Sequence, residues 1–168
     1  ECFPRNWQHQ RLWINDPDTV LLKNQAVETM APDGGITYRD SELTLDEFLF
    51  NTVYTMACGG MVLSGDDVSM LSEEKIEILK KLTPPTNVAA IFDDKTWTIG
   101  RAKIDEMKTM IYIFNLKDEA RDIEVPLDGI YHVYDILSET DLGICEGSLR
   151  MPAFRAHYAV ALRLERCY

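Results

Sequence analysis

One stretch, residues 11 to 22, constrains the fold more than any other, because a short apolar run there meets a turn rich in carboxylates. The run Leu12 to Ile14 combines aliphatic, aromatic and β-branched side chains, which predicts a buried strand. The sequence Asn15-Asp16-Pro17-Asp18 then predicts a turn, because Asn and Asp tolerate tight turns and Pro has no N–H to donate. A strand that ends in carboxylates is how an α/β barrel or a doubly wound sheet presents acids to a ligand, although an acidic surface turn has the same pattern.

A polar, Gly-containing loop is predicted for residues 24–40, and a helix follows it. Thr44 and Glu47 have the spacing of a capping box, which places the start of the helix directly after Thr44. Apolar residues recur at helical spacing up to Met56, and Gly59-Gly60 ends the helix.

A second carboxylate turn comes after this helix. The apolar run 61–64 predicts a strand and leads into Asp66 and Asp67. Strand, helix and strand in this order form a βαβ unit, so we expect both carboxylate turns at the same edge of a parallel sheet. Two other interpretations of Asp66 and Asp67 stay open. They could cap the turn that follows, or bind calcium, although their spacing matches no EF-hand loop and we predict no metal site.

The remainder of the chain changes character after a second helix at residues 72–82, which Pro84-Pro85 ends. Short β segments separated by turn signals predict an antiparallel sandwich. The predicted strands are Asn87–Phe92, Thr96–Ile104, Thr109–Leu116, Arg121–Pro126, Ile130–Leu137, Leu142–Glu146 and His157–Leu164. Apolar residues alternate onto both faces around Tyr112, which predicts a central strand there.

Charge and composition exclude several classes of partner. The chain has 168 residues and a formal net charge of -11, and such an acidic surface repels the phosphates of nucleic acids. No apolar run approaches the roughly 20 residues that a membrane span requires. The cysteines Cys2, Cys58, Cys145 and Cys167 form no C-x-x-C pair, and Cys58 lies in an apolar helical run. Two disulfides are conceivable, but we expect reduced thiols, a cytoplasmic protein and no cofactor.

Several motifs resemble one known family. Trp13 to Lys23 carries W-x-N-D-P-D, an apolar run and a basic residue, and this pattern resembles a signature of the α-galactosidases (melibiases) of glycoside hydrolase clan D, most closely the bacterial family 36 branch. The L-T-x-x-E opening of the first helix and its small-Gly-Gly ending occur in the same order in that family. Its S-D-D-type strand end resembles residues 64–67, although Gly65 stands where the family usually has its first Asp. Phe114-Asn115 and the segment from His157 to Leu164 resemble its C-terminal sandwich.

The resemblance implies a mixed fold, α/β plus all-β. Residues 1–86 would be the last βα units of a TIM-type (β/α)8 barrel, and residues 87–168 a C-terminal antiparallel β-sandwich. A complete barrel needs about 250 residues, and the chain begins with Glu1 rather than Met, so we expect a piece of a longer protein. An incomplete barrel exposes strand edges, which predicts an oligomer.

The resemblance also implies an activity and its site. The whole protein would be a retaining glycoside hydrolase that cleaves terminal α-galactosides, with an α-galactoside or related oligosaccharide as its partner. Asp18 would line the sugar pocket, and Thr19 would adjoin it. The residues implied to shape the surrounding turns are Asn15, Asp16, Asp66 and Asp67. Both catalytic aspartates would come from earlier strands, so this chain would hold no catalytic residue and would be inactive alone.

Two other functions remain open. The first is a non-catalytic β-sandwich module that binds carbohydrate or protein, for which an exposed aromatic row would be the mark. The candidates for such a row are Trp97, Tyr112, Tyr131, Tyr134 and Tyr158. The second is a divergent clan member that acts on another sugar. Separately, the aromatic and amide side chains between Arg5 and His9 could grip a sugar or simply lead into the first strand.

Overall fold

The computed structural model describes residues 2–23, 25–40, 42–93 and 95–167, without the side chains of residues 25–30 and 36–40. Its first part contains four short strands, two α-helices and two 3-10 helices. In chain order these are a 3-10 helix at Phe3–Gln8, β1 Thr19–Val20, β2 Gln25–Met30, β3 Ile36–Asp40, α1 Leu45–Cys58, β4 Leu63–Ser64, a 3-10 helix at Val68–Met70 and α2 Glu73–Leu82. None of the helices in the described part of the chain is long and apolar enough to cross a membrane.

The predicted βαβ unit is present, but its first strand lies on the other side of the turn. β1 pairs in parallel with β4, with Thr19 opposite Leu63, and α1 lies between these strands in the sequence. The predicted strand at residues 11–14 is wrong. Leu12, Trp13 and Ile14 are 65%, 49% and 52% exposed, and only Trp13 makes an isolated bridge, to His9.

The predicted loop at residues 24–40 contains an antiparallel hairpin. β2 pairs with β3 across the turn at residues 31–35, with a register shift between Val27 and Thr29. Asp33 fixes that turn, because its Oδ1 accepts a hydrogen bond from the backbone N–H of Gly35 at 3.0 Å.

The capping box of α1 is formed as the sequence predicts. Thr44 Oγ1 accepts from the N–H of Glu47 at 3.3 Å, and the Glu47 carboxylate accepts from the N–H of Thr44 at 2.7 Å. Gly59 ends the helix with a left-handed backbone, and a Cβ there would lie 2.4 Å from the backbone of Val88.

Replacing Thr44 by Ala is expected to lower the free energy of unfolding by about 1 kcal/mol, because the backbone N–H of Glu47 loses its acceptor, Thr44 Oγ1. Denaturant unfolding measures this change. The matched control is Ser72→Ala at the start of α2, since the Ser72 side chain makes no capping hydrogen bond. Equal losses in both variants would show that the cap does not stabilise α1.

The second part of the chain forms one six-stranded antiparallel sheet in the order β5-β6-β7-β10-β8-β9. Its strands are β5 Ile91–Phe92, β6 Ile99–Lys103, β7 Lys108–Asn115, β8 Arg121–Asp135, β9 Thr140–Phe154 and β10 Tyr158–Arg166. The predicted antiparallel class is confirmed. The separation into Arg121–Pro126 and Ile130–Leu137 is wrong, because Asp128 and Gly129 bend one continuous strand.

The sandwich arises from this bend rather than from a second sheet. The first half of β8 and the last half of β9 pack over one face of the sheet, so that Val125 and Leu149 share a buried cluster with Ile111, Leu162 and other residues of the central strands. On the opposite face, Val53 and Ala57 of α1 pack against Tyr112 and the residues around it. Both faces of β7 are therefore buried, which confirms the predicted central strand.

Candidate functional site

A buried amide network holds the start of the Asn15 to Asp18 turn. Asn15 and Asn6 are each 3% exposed. The Asn15 side-chain amide donates to Asn6 Oδ1 at 2.9 Å and to the carbonyl of Cys58 at 3.0 Å, and Asn6 in turn donates to the carbonyls of Ala57 and Ala90. This network joins the turn to the C-terminal end of α1 and to the segment that enters the sheet.

The turn is a bulge in the strand that runs beside β4. The carbonyl of Asn15 accepts from the N–H of Met61 at 2.8 Å, and Thr19 is next opposite Leu63. The four-residue step from Asn15 to Thr19 therefore spans the same length as the two-residue step from Met61 to Leu63, the first residue of β4. The two extra residues lie within Asp16 to Asp18, and this segment bulges out of the strand. Bulges of this kind redirect side chains and are frequent beside active sites.

Asp18 occupies the point of the bulge and is exposed. Its backbone has φ +72°, a left-handed conformation that Asp tolerates better than most residues. The N–H of Asp18 donates to Asp16 Oδ1 at 3.0 Å, and Asp18 Oδ1 accepts from the N–H of Thr19 at 2.8 Å. Asp18 Oδ2 accepts no hydrogen bond from any residue that the structure describes, so one oxygen is available to a ligand.

Asp66 and Asp67 lie at the other end of the β1–β4 pair and bind backbone groups. The Asp66 carboxylate accepts from the N–H groups of Leu22 at 2.6 Å and Lys23 at 3.1 Å, so it fixes the chain just after β1. Asp67 Oδ1 accepts from the N–H and the hydroxyl of Ser69, and these hydrogen bonds hold the pKa of Asp67 below its usual value. The capping interpretation of Asp67 is thus the one that the structure shows.

The two carboxylate turns do not share one edge, and that prediction is wrong. Asp18 directly precedes β1, whereas Asp66 and Asp67 follow β4, which runs in the same direction. The physical reason is that the ladder forms after the Asn15 to Asp18 turn and not before it. Asp16, Asp18 and Thr19 are brought together, and Asp66 lies beyond the far end of β1.

Gly65 fits its position because the chain has no room for a side chain there. A Cβ on Gly65 would lie 2.9 Å from Thr19 Oγ1 and 2.8 Å from Leu21 Cδ2. An Asp at this position would require Thr19 to move. The glycine at position 65, where the resembling family usually has Asp, therefore fits the close packing of Thr19 against this position.

Sequence reasoning missed two residues that support the turn. His9 is buried, and its Nδ1 accepts from the N–H of Asn15 at 3.0 Å, so a neutral ring carries its proton on Nε2. Asn6 completes the amide network, but in the sequence it is only one of several polar residues near Trp7. Trp7 is 52% exposed, so the same short segment supplies both buried supports and an open aromatic ring.

The other predicted features can be placed as well. The four cysteines are free thiols, and Cys58 is buried, which raises the pKa of its thiol. The described residues contain no cluster of His, Cys, Asp and Glu suited to a metal ion. None of the aromatic residues proposed for a binding row is exposed, and Tyr112 and Tyr131 are buried.

Comparison with known proteins places the fold. No family model matches the sequence. A GH27 β-L-arabinopyranosidase from Geobacillus stearothermophilus has a similar structure with a TM-score of 0.78 and 15% identity, and the match covers 99% of this chain and 40% of that one. α-Galactosidase I from Mortierella vinacea gives a TM-score of 0.57 and 13% identity over 73% of this chain and 36% of that one. The α-galactosidase from Saccharomyces cerevisiae, solved with raffinose, gives 0.56 and 11% over 76% of this chain and 45% of that one.

These matches establish the fold that the chain shares with part of these glycosidases. The chain spans less than half the length of each of these three proteins. Because the sequence identities are low, the matches show the fold alone, and membership of family 36 stays a prediction.

Proposed function

We propose that this chain is the C-terminal part of a retaining clan D glycoside hydrolase that removes terminal α-galactosyl units, with family 36 favoured by its motifs. The observation that carries the proposal is the exposed Asp18 carboxylate, held on a strand bulge with Oδ2 unengaged by the described residues. A fold in common with an arabinopyranosidase and two α-galactosidases supports it.

The chemistry of Asp18 suits a sugar ligand. An ionised carboxylate accepts strong hydrogen bonds from hydroxyl groups, and a pyranose presents several of them. Because Oδ1 is already held by the N–H of Thr19, the carboxylate is oriented before a ligand arrives. Thr19 follows it directly at the start of β1 and is proposed to adjoin the sugar.

The proposal assigns the bond-breaking carboxyl groups to another part of the enzyme. A retaining glycosidase needs two carboxyl groups about 5–5.5 Å apart. The resemblance places both on earlier strands of the barrel, so the chain alone is proposed to be inactive. The exposed side chains of Leu12, Trp13 and Ile14 are proposed to be covered by such strands, and in isolation an exposed apolar patch of this kind favours association into oligomers.

The test is to express the longer protein encoded around this sequence and to assay p-nitrophenyl α-D-galactopyranoside. We expect the longer protein to release galactose with retention of the anomeric configuration, which proton NMR of the product detects. We expect no hydrolysis by the 168-residue chain alone. The β-anomer and p-nitrophenyl β-L-arabinopyranoside are the matched comparisons. A preference for the arabinoside would indicate the divergent-substrate alternative. Absence of hydrolysis of every glycoside, by a protein that contains a complete barrel, would contradict the proposal.

The non-catalytic module is less well supported. Its mark would be an exposed aromatic row on the sheet, and none of the five candidate residues is exposed. An aromatic sugar-binding row is therefore not proposed for the sheet.

A further inference from the structure

A cavity of about 370 Å³ opens at one end of the sandwich, remote in sequence from the Asn15 to Asp18 turn. It lies where the bend of β8 rises over the sheet. The bend, Pro126 to Asp128, forms one wall together with Tyr131 of β8, and strands β6, β7 and β10 and the turn between β6 and β7 supply the remainder. Its volume falls within the range of about 300–1,000 Å³ that is typical of small-molecule sites.

The strand register gives the cavity an apolar floor between cationic sides. Lys103 of β6 pairs with Thr109 of β7, which pairs with Leu164 of β10. Leu164 is buried, and Arg166 lies two residues further along β10. Lys103 and Arg166 therefore stand two strands apart and two residues out of register, which is roughly 12 Å between their backbones at about 4.8 Å per strand and about 3.3 Å per residue.

The two cations have no carboxylate partner in the described structure. No Asp or Glu that the structure describes lies within ion-pair distance of Lys103 or Arg166, whereas Arg101 is paired with Asp93 at 3.0 Å. In a protein whose net charge is -11, the lining of this cavity has three cations against the two carboxylates of Glu106 and Asp128, which is a local excess of one positive charge. Such a surface attracts anions.

The walls of the cavity are held in place by hydrogen bonds. Arg101 donates to the carbonyl of Pro126 at 3.0 Å and so links β6 to the bend. The Tyr131 hydroxyl donates to Asp128 Oδ1, and this bond lowers the pKa of Asp128 and raises that of Tyr131. Arg166 donates to the carbonyl of Asp128 at 3.4 Å and lies 5.8 Å from the centre of the Tyr131 ring. The Asp128 carboxylate keeps its charge and attracts Arg166, so Lys103 is the cation of this cavity that no neighbouring carboxylate of the described residues compensates.

We propose that this cavity binds an acidic monosaccharide, a pyranose that carries one carboxylate or phosphate group. Lys103 and Arg166 bind the acid group, the apolar floor at Ile111 and Leu164 contacts the ring, and Glu106 and Thr109 accept or donate hydrogen bonds to its hydroxyls. The choice of a sugar rests on the glycosidase proposal, whereas the binding of an anion depends on the sandwich residues alone.

The test titrates the isotopically labelled 168-residue chain with four separate probes and follows amide resonances by NMR. The probes are D-galacturonate, D-galactose 6-phosphate, neutral D-galactose and inorganic phosphate. We expect the two acidic sugars to shift resonances around Lys103, Tyr131 and Arg166, and to bind at least tenfold more tightly than galactose. Raising the salt concentration from 0.05 M to 0.5 M should weaken binding, because exposed charges are screened.

Variants identify the residues responsible. Lys103→Ala and Arg166→Ala should each weaken the acidic sugars by at least about tenfold, since hydrogen bonds to charged groups are worth about 1.5–3 kcal/mol. Lys117→Ala, an exposed lysine outside the cavity, is the matched control and should change nothing. Lys103 is exposed, so its loss does not threaten the fold. The proposal would be overturned if galactose and galacturonate bound with equal affinity, or if the resonance shifts were confined to other surfaces. It would also be overturned if Lys103→Ala bound the acidic sugars as tightly as the unmodified chain, or if phosphate bound as tightly as the sugar phosphate.

Discussion

Replacing Asp18 by Asn in the proposed longer enzyme is expected to lower kcat/KM for a terminal α-galactoside by about 10- to 100-fold. The reason is that a carboxylate accepting hydrogen bonds from sugar hydroxyls contributes about 1.5–3 kcal/mol, and an amide cannot replace the charge. Asn is the informative substitution because it has the same shape and also tolerates the left-handed backbone at φ +72°. The turn is therefore expected to survive the change.

The measurement separates kcat from KM across a pH series. A loss that falls on KM supports Asp18 as a sugar ligand, and an unchanged kcat/KM would show that it has no role in the pocket. A loss that falls on kcat and removes one limb of the pH profile would show that Asp18 itself transfers a proton. That result would correct the assignment of both catalytic groups to earlier strands. Glu74→Gln, on the exposed side of α2, is the matched control and should leave both constants unchanged.

The helices could be predicted from the sequence because their signals are local. Thr44 and Glu47 lie within one turn of each other, and Gly59 has a left-handed backbone conformation that few other residue types adopt without strain. The dipole pattern of α2, with Glu73 and Glu74 first and Lys80 and Lys81 last, is equally local. Such features depend little on the rest of the fold.

The first strand could not be placed because an apolar run does not reveal what covers it. Leu12, Trp13 and Ile14 have the composition of a buried strand, yet they are exposed in this chain. Whether a segment is buried depends on what packs against it in the complete fold. The sequence of the segment shows only that its side chains suit an apolar environment. The ladder formed instead at Thr19, next to a turn that the sequence did identify.

The hairpin and the bent strands show a different difficulty. Asp33-Gly34 between two β-prone segments was a usable hairpin signal, and the length of the polar segment obscured it. Gly129 and Gly147 carry turn chemistry, but they mark bends, since Pro126 pairs with Ser148 and Ile130 with Glu146 on either side of them. Turn residues in a sequence indicate that the chain changes direction, but they do not indicate by what angle. The partner strand decides whether the chain reverses.

The site shows the same division between local and distant information. Asp16, Asp18 and Thr19 are adjacent in sequence and were predicted together. Their supports were not predicted, because Asn6 and His9 reach Asn15 through side-chain hydrogen bonds that no spacing rule encodes.

Replacing Asn15 by Ala is expected to lower the free energy of unfolding by at least about 2 kcal/mol. The substitution leaves Asn6 Oδ1 and the carbonyl of Cys58 without the donor that they share, and each buried unsatisfied acceptor costs about 1–3 kcal/mol. Denaturant unfolding with an unchanged m-value measures the loss. Asn51→Ala is the matched control, because the Asn51 amide makes only a 3.5 Å contact with the carbonyl of Thr19 and should change stability by less than about 1 kcal/mol.

Asn15→Asp sharpens this prediction, because it keeps the shape of the side chain and exchanges the donor for an acceptor. At neutral pH the new carboxylate would face the oxygens of Asn6 and Cys58, so the loss of stability should exceed that of Asn15→Ala. Protonation at low pH restores one donor, and the difference between the two variants should then shrink. If Asn15→Ala is as stable as the unmodified protein, or if Asn15→Asp shows no such pH dependence, the amide network does not anchor the turn. Asp18 would then owe its position to the bulge alone.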